Sequence, residues 1–165
     1  MALDTNINQF KQGVAIGDLD LNYFGGESRI SCRYNPEATS TDRLKAGESV
    51  LLKDLGADDV AGPPIIDKRA SEHTSTIFGT VVRSLKQSEF APGDIVEIAV
   101  AGAVMFLKAS GALTRGAAVT PVLATVGSVK AVSTKTHYGI TLDKIADAGI
   151  GRVLIQANGV AVGSA

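Results

Sequence analysis

An all-β fold, a small β-barrel or β-sandwich, is what the sequence predicts. Short β-branched runs recur at fairly even spacing, turn residues separate them, and no stretch sustains the apolar period of a helix. Closure into a barrel is the favoured form, because it removes the edges that such strands would otherwise expose. The 165 residues, 45% hydrophobic and 20% charged, suit one domain with a single core.

Residues 1–28 hold neither period for long and mix isolated apolar side chains with Gly, Asn and Asp. They read as an extended N-terminal arm, with residues 29–165 forming the barrel or sandwich domain. Phe10, Ile16, Leu19, Leu21, Tyr23 and Phe24 make the arm too apolar for a free tail, so it should lie on its own domain or on a neighbour. Phe10, Tyr23 and Phe24 are the candidate partner-binding residues.

From Arg29 to Tyr34 polar and apolar residues alternate until Asn35-Pro36, the pattern of a half-buried strand. Glu48–Lys53 is a second strand. Residues 57–73, with Gly62-Pro63-Pro64 and the charged Asp67-Lys68-Arg69, read as a long surface loop. Six further strands follow: Thr76–Arg83, Asp94–Val100, Val104–Lys108, Ala118–Leu123, Ser128–Val132 and Tyr138–Leu142, with Arg152–Gln156 closing the series. Pro121 marks a strand start, bulge or edge. One short helical turn fits, at Lys144–Ala148. The form x-Gly-x-x-Val occurs at Gly47, Gly93 and Gly116, and its unequal spacing reads as three uses of one turn rather than a repeat.

No catalytic constellation emerges. His73 and His137 sit in polar surroundings without a partner at metal-ligand spacing, and Cys32, the single cysteine, reads as a small buried apolar residue. Asp54–Asp59 lacks the ligand spacing of a calcium loop, Asp18 and Asp20 are a similarly weak case, and the glycine groups match no phosphate-binding motif. No cofactor and no metal is expected. A net charge of -1 lacks the basic surplus of a nucleic-acid coat, and no apolar run is long enough to cross a membrane as a helix. The acidic, polar N-terminus leads to the expectation of a soluble, unsecreted protein.

Four stretches together resemble the capsid-decoration (cement) proteins of tailed bacteriophages: Gly93–Val100, Ala109–Val119, Tyr138–Asp143 and Gly151–Gln156. The resemblance spans roughly residues 76–157. It implies a β-barrel or sandwich on the outer surface of a phage head that clamps neighbouring major capsid subunits, often as a homotrimer. It carries no catalytic residue. Two alternatives stand beside it. One is another virion module, for head completion, tail or receptor binding; the other is a trimeric all-β nucleotide hydrolase, for which no convincing acidic set is present.

Overall fold

The computed structural model describes residues 15–20, 28–53, 62–70, 77–132 and 138–156. Twelve strands and no helix are found among them: β1 Arg29–Tyr34, β2 Leu44–Lys45, β3 Ser49–Leu52, β4 Ile65–Lys68, β5 Gly79–Val81, β6 Glu89–Phe90, β7 Ile95–Ala99, β8 Val104–Ala109, β9 Ala118–Pro121, β10 Ser128–Ala131, β11 Gly139–Thr141 and β12 Ile150–Ile155. They close into two five-stranded barrels, β1-β4-β3-β5-β7 and β10-β8-β12-β11-β9, with β2 and β6 as a separate ribbon. The all-β expectation holds. Where the sequence suggests one core there are two apolar clusters, one around Cys32, Tyr34, Val50 and Ile98 and one around Met105, Leu107, Val119 and Val153. The second also takes in Ile77, Val82 and Ala99 from the part of the chain that builds the first barrel, so the barrels pack on each other.

Two sequence expectations are corrected. The stretch read as a surface loop over 57–73 contains β4, which pairs with β1 in parallel and β3 in antiparallel sense and buries Ile66 completely. Its Pro63-Pro64 precedes the strand rather than interrupting it, and Asp67 and Lys68 are held by ion pairs to Lys53 and Asp42. The turn of helix at Lys144–Ala148 is absent. Ile145 instead exchanges backbone hydrogen bonds with Leu113, 2.8 and 2.9 Å, as an isolated bridge.

The two barrels are the same structure built twice. In each, the first strand pairs in parallel with the third of the barrel and antiparallel with the last: β1 with β4 and β7, β8 with β10 and β12. The registers coincide residue by residue. Val50 faces Gly79 and Lys68 in one barrel, and Val119 faces Gly139 and Ala131 in the other. Arg33 faces Ile65 and Ile95, and Lys108 faces Ser128 and Ile150. Even the Leu44–Phe90 ribbon has its counterpart in the Leu113–Ile145 bridge.

Turns correspond as well. Tyr34 N–H donates to Asp94 O at 2.9 Å and Tyr34 O accepts from Gly93 N–H at 2.9 Å; Ala109 does the same with Gly149 and Ala148 at 2.8 and 3.0 Å. Gly93 takes φ +88°, and Ala148, the one described non-glycine with positive φ, takes +59° in its place. Gly47 and Gly116, at +82° and +79°, occupy equivalent turns before β3 and β9.

Backbone crowding fixes the sequence where β5 meets β7 and β11 meets β12. A Cβ on Gly79 would collide with the Ala99 carbonyl oxygen, and one on Gly139 with that of Leu154. Because the obstacle is backbone in both barrels, Gly79→Ala and Gly139→Ala should each destabilise by about 1–3 kcal/mol. Ala148→Gly should stabilise by up to about 1 kcal/mol, since the left-handed strain of ~1–2 kcal/mol exceeds glycine's entropy cost. Urea denaturation of the three variants measures all of these, and a destabilised Ala148→Gly would contradict the assignment.

Candidate functional site

Where the chain meets itself, polar groups are buried. Thr80 of β5 and Tyr138, just before β11, share a hydrogen bond between their hydroxyls, which links the two barrels. Arg69, following β4, is buried and donates to Ser49 Oγ at 2.9 Å, and its charge lies near enough to Tyr138 to favour the phenolate slightly. Burial dominates, however, and holds the Tyr138 hydroxyl protonated well above the usual tyrosine range. A small crevice beside this junction is lined by Gly47, Glu48 and Ser49 from one barrel and Pro121, Leu123 and Gly127 from the other.

The N-terminal segment 15–20 crosses the same junction. Gly17 N–H donates to Phe106 O at 3.0 Å, Phe106 N–H to Asp18 O at 2.9 Å and Asp20 N–H to Val104 O at 2.9 Å, so the segment adds to the front half of β8 as an antiparallel strand. On its other side Arg83 N–H donates to Gly17 O at 2.9 Å. Asp18 pairs with Arg83 at 3.5 Å and Asp20 with Arg152 at 3.6 Å, one cation from each half of the chain. Leu19 lies on the second core. This part of the arm therefore packs on its own chain.

At the open end of the first barrel charges form a network. Lys53 reaches Asp67 at 3.4 Å, and Asn35 Nδ2 donates to Asp67 Oδ2 at 2.9 Å. Lys68 joins Asp42 and, at 3.9 Å, Glu48. Burial raises the Glu48 carboxyl above its ordinary value, more than the Lys45 amide and Lys68 lower it. Tyr34, fully buried beside these carboxylates, is raised by desolvation first and by Asp42 and Asp67 next. No group of three or more His, Cys, Asp or Glu suited to a metal occurs among the described residues. The cluster is a set of mutually satisfied ion pairs, with neither a positioned nucleophile nor an acid–base pair.

Some aliphatic side chains are exposed as well. Leu85 projects fully into solvent from the loop after β5, and Leu52, Ile95 and Ile150 are each about half exposed. Ile95 and Ile150 hold equivalent positions on the two barrels, each facing a basic residue, Arg33 and Lys108.

The family model described as XM1 gp53 minor capsid protein matches residues 20–163. The chain belongs to that family. This minor capsid family member is thus a virion structural protein, associated with the phage capsid. The solved head fiber gp8.5 N base of bacteriophage phi29 is 12% identical, with 79% of this chain and 95% of that chain covered and a TM-score of 0.49. No curated protein matches.

Of the residues singled out in the sequence of this minor capsid protein, Cys32 lies within the first core, its thiol pushed up to about 11 by burial. Asp18 and Asp20 are ion-paired arm residues, not metal ligands of a three-carboxylate set. Phe10, Tyr23 and Phe24, His73 and His137, and Asp54–Asp59 lie outside the described residues. Leu52, Leu85, Ile95 and Ile150 were not singled out by sequence: an aliphatic residue in a strand reads as core, and only the barrel's inside-outside alternation tells otherwise.

Arg152 is the charged hub of the second barrel. Its guanidinium donates to Asp143 through Nη2 at 2.7 Å and Nε at 3.0 Å, and its own amide donates to the same carboxylate at 3.0 Å. These hydrogen bonds hold the Asp143 carboxyl below its ordinary value of 3.8. A depressed carboxylate stabilises the fold above its unfolded pKa and ceases to as pH falls through the folded one. Asp143→Asn should therefore lower the melting temperature at neutral pH, and the gap to wild type should close as pH drops below about 3.8. A gap independent of pH would show that the ion pair contributes nothing.

Proposed function

We propose that this minor capsid protein is a decoration protein of the outer capsid surface, bound to major capsid subunits as a homotrimer and clamping neighbouring ones. Residues 1–28 act as its arm, with Phe10, Tyr23 and Phe24 contributing to capsid or neighbour contact, and residues 29–165 as the domain it serves. The observation that carries the reading is the family match over residues 20–163. It is supported by a near-neutral chain and by exposed aliphatic side chains on both barrels.

Decoration suits such a surface. A single small contact binds weakly, whereas three linked copies raise the effective concentration for the second and third contacts, so avidity exceeds single-site affinity by roughly a hundredfold or more. The alternative within the virion is a tail or head-completion part, present in far fewer copies.

Two measurements check the proposal. Quantitative mass spectrometry of purified particles should give a simple ratio of this chain to the major capsid protein, such as one or one third; a trace ratio would place it at a tail or a unique vertex. Joint substitution of Phe10, Tyr23 and Phe24 by Ala should lower capsid occupancy in a sedimentation assay while leaving the melting temperature unchanged. Deleting residues 1–28 is a poorer test, because it also strips residues 17–20 from the edge of β8.

A further inference from the structure

The duplicated barrel offers an internal control: among the described residues one copy of a strand edge is filled and the other is not. On β8, residues Met105 and Leu107 pair with β12, while the backbone groups of Val104 and Phe106 turn the other way and are taken by residues 17–20. By register, Arg29, Ile30 and Ser31 of β1 are the counterparts of Val104, Met105 and Phe106, since Arg29 faces Ala99 as Val104 faces Leu154. β4 meets β1 only at Arg33 and Tyr34, as β10 meets β8 only at Lys108 and Ala109.

The front half of β1 therefore has the same outward-facing groups, and among the described residues no strand pairs with them. The difference shows in burial. Met105, bridged to Leu19, is 0% exposed, whereas Ile30 is 40% exposed on the equivalent spot.

We propose that Arg29–Ser31 is a β-augmentation site for an extended segment, added antiparallel in the register that residues 17–20 use on β8, and that its occupant is Thr5–Asn8 of a second copy of this chain. Charge selects the occupant. On β8 the incoming strand reads Asp18-Leu19-Asp20, and Asp20 meets Arg152 at 3.6 Å. The counterpart of Arg152 on the first barrel is Glu97, and Arg29 is already paired with it at 2.8 Å, so an acidic strand would find no unpaired cation there in the place of Arg152. Asn6-Ile7-Asn8 keeps the polar–aliphatic–polar order of Asp18-Leu19-Asp20 with the carboxylates replaced by neutral amides. Ile7 would then cover Ile30 as Leu19 covers Met105. The arrangement links copies head to tail through their arms and stands whether or not the capsid reading holds.

Sedimentation equilibrium of the full chain provides the test, using Ser31→Pro, Ile30→Lys and Ile7→Asp. Proline at 31 removes an N–H that faces away from β7 and so blocks an added strand without breaking the barrel. Ile30→Lys, which blunts the edge with a charge, replaces it if Ser31→Pro fails to fold. The wild type should self-associate, and the edge variant and Ile7→Asp should each weaken association by about tenfold or more at unchanged melting temperature. A wild type that stays monomeric to about 100 µM, or edge variants that leave association intact, would overturn the site. Association sensitive to Ser31→Pro but not to Ile7→Asp would overturn the occupant.

Discussion

A barrel of five short strands has to close through very few backbone pairs, and here the closing contact is the parallel one, two residue pairs between β1 and β4 and two between β8 and β10. The antiparallel partners of the same two strands run alongside for five positions. Each first strand thus extends past its parallel neighbour, and its front half has outward N–H and C=O groups with no partner in the barrel. Backbone groups in that state must be paired or hydrated. The second barrel solves this with its own N-terminal segment, and that solution draws Gly17, Asp18 and Asp20 across the junction to Arg83 and Arg152. The position of the arm follows from an unmet hydrogen-bonding demand on β8 more than from the arm's own apolarity.

The same backbone is filled by different side chains in the two barrels, which shows how little of the core sequence the fold dictates. Cys32 and Tyr34 are matched by Leu107 and Ala109, and Val96 by Gly151. At the last of these the volume is supplied by a neighbour: a Cβ on Gly151 would come within 2.6 Å of Ile145 Cγ1. There the residue that fills the space changes between the copies, as expected where close packing and not identity is the constraint. Four glycines governed by backbone are kept in both copies. Gly79 and Gly139 face carbonyl oxygens, and Gly47 and Gly116 make the turns before β3 and β9.

Strand positions were legible in the sequence because β-branched runs bounded by turn residues are a local signal. β1 coincides with the predicted Arg29–Tyr34, and β3, β7, β8, β9, β10, β11 and β12 fall within or beside the predicted runs. The duplication was hidden although its trace was visible. Of the three x-Gly-x-x-Val turns, Gly47 and Gly116 are true counterparts, whereas Gly93 corresponds to Ala148, where the glycine is missing and the positive φ is kept. Unequal loops between matched strands removed the regular spacing by which repeats are recognised. β4 escaped for a different reason. Its half-buried Asp67 and Lys68 look like loop residues until Lys53 and Asp42 are brought beside them by pairing that no local pattern reveals.

Part of the surface charge is already paired within the chain, while Arg33, Arg43, Lys86, Arg115 and Lys144 stay exposed outside the ion pairs. Arg29 with Glu97, Lys45 with Glu89, Lys53 with Asp67, Lys68 with Asp42 and Arg152 with Asp143 consume charges of both signs within the chain. Exposed pairs of this kind contribute only about 0–1 kcal/mol each to stability. Their larger effect is on association, because a partner that met this face through charges would first have to separate pairs already made. Contact through the aliphatic side chains of Leu85, Ile95 and Ile150 and through backbone hydrogen bonds avoids that cost.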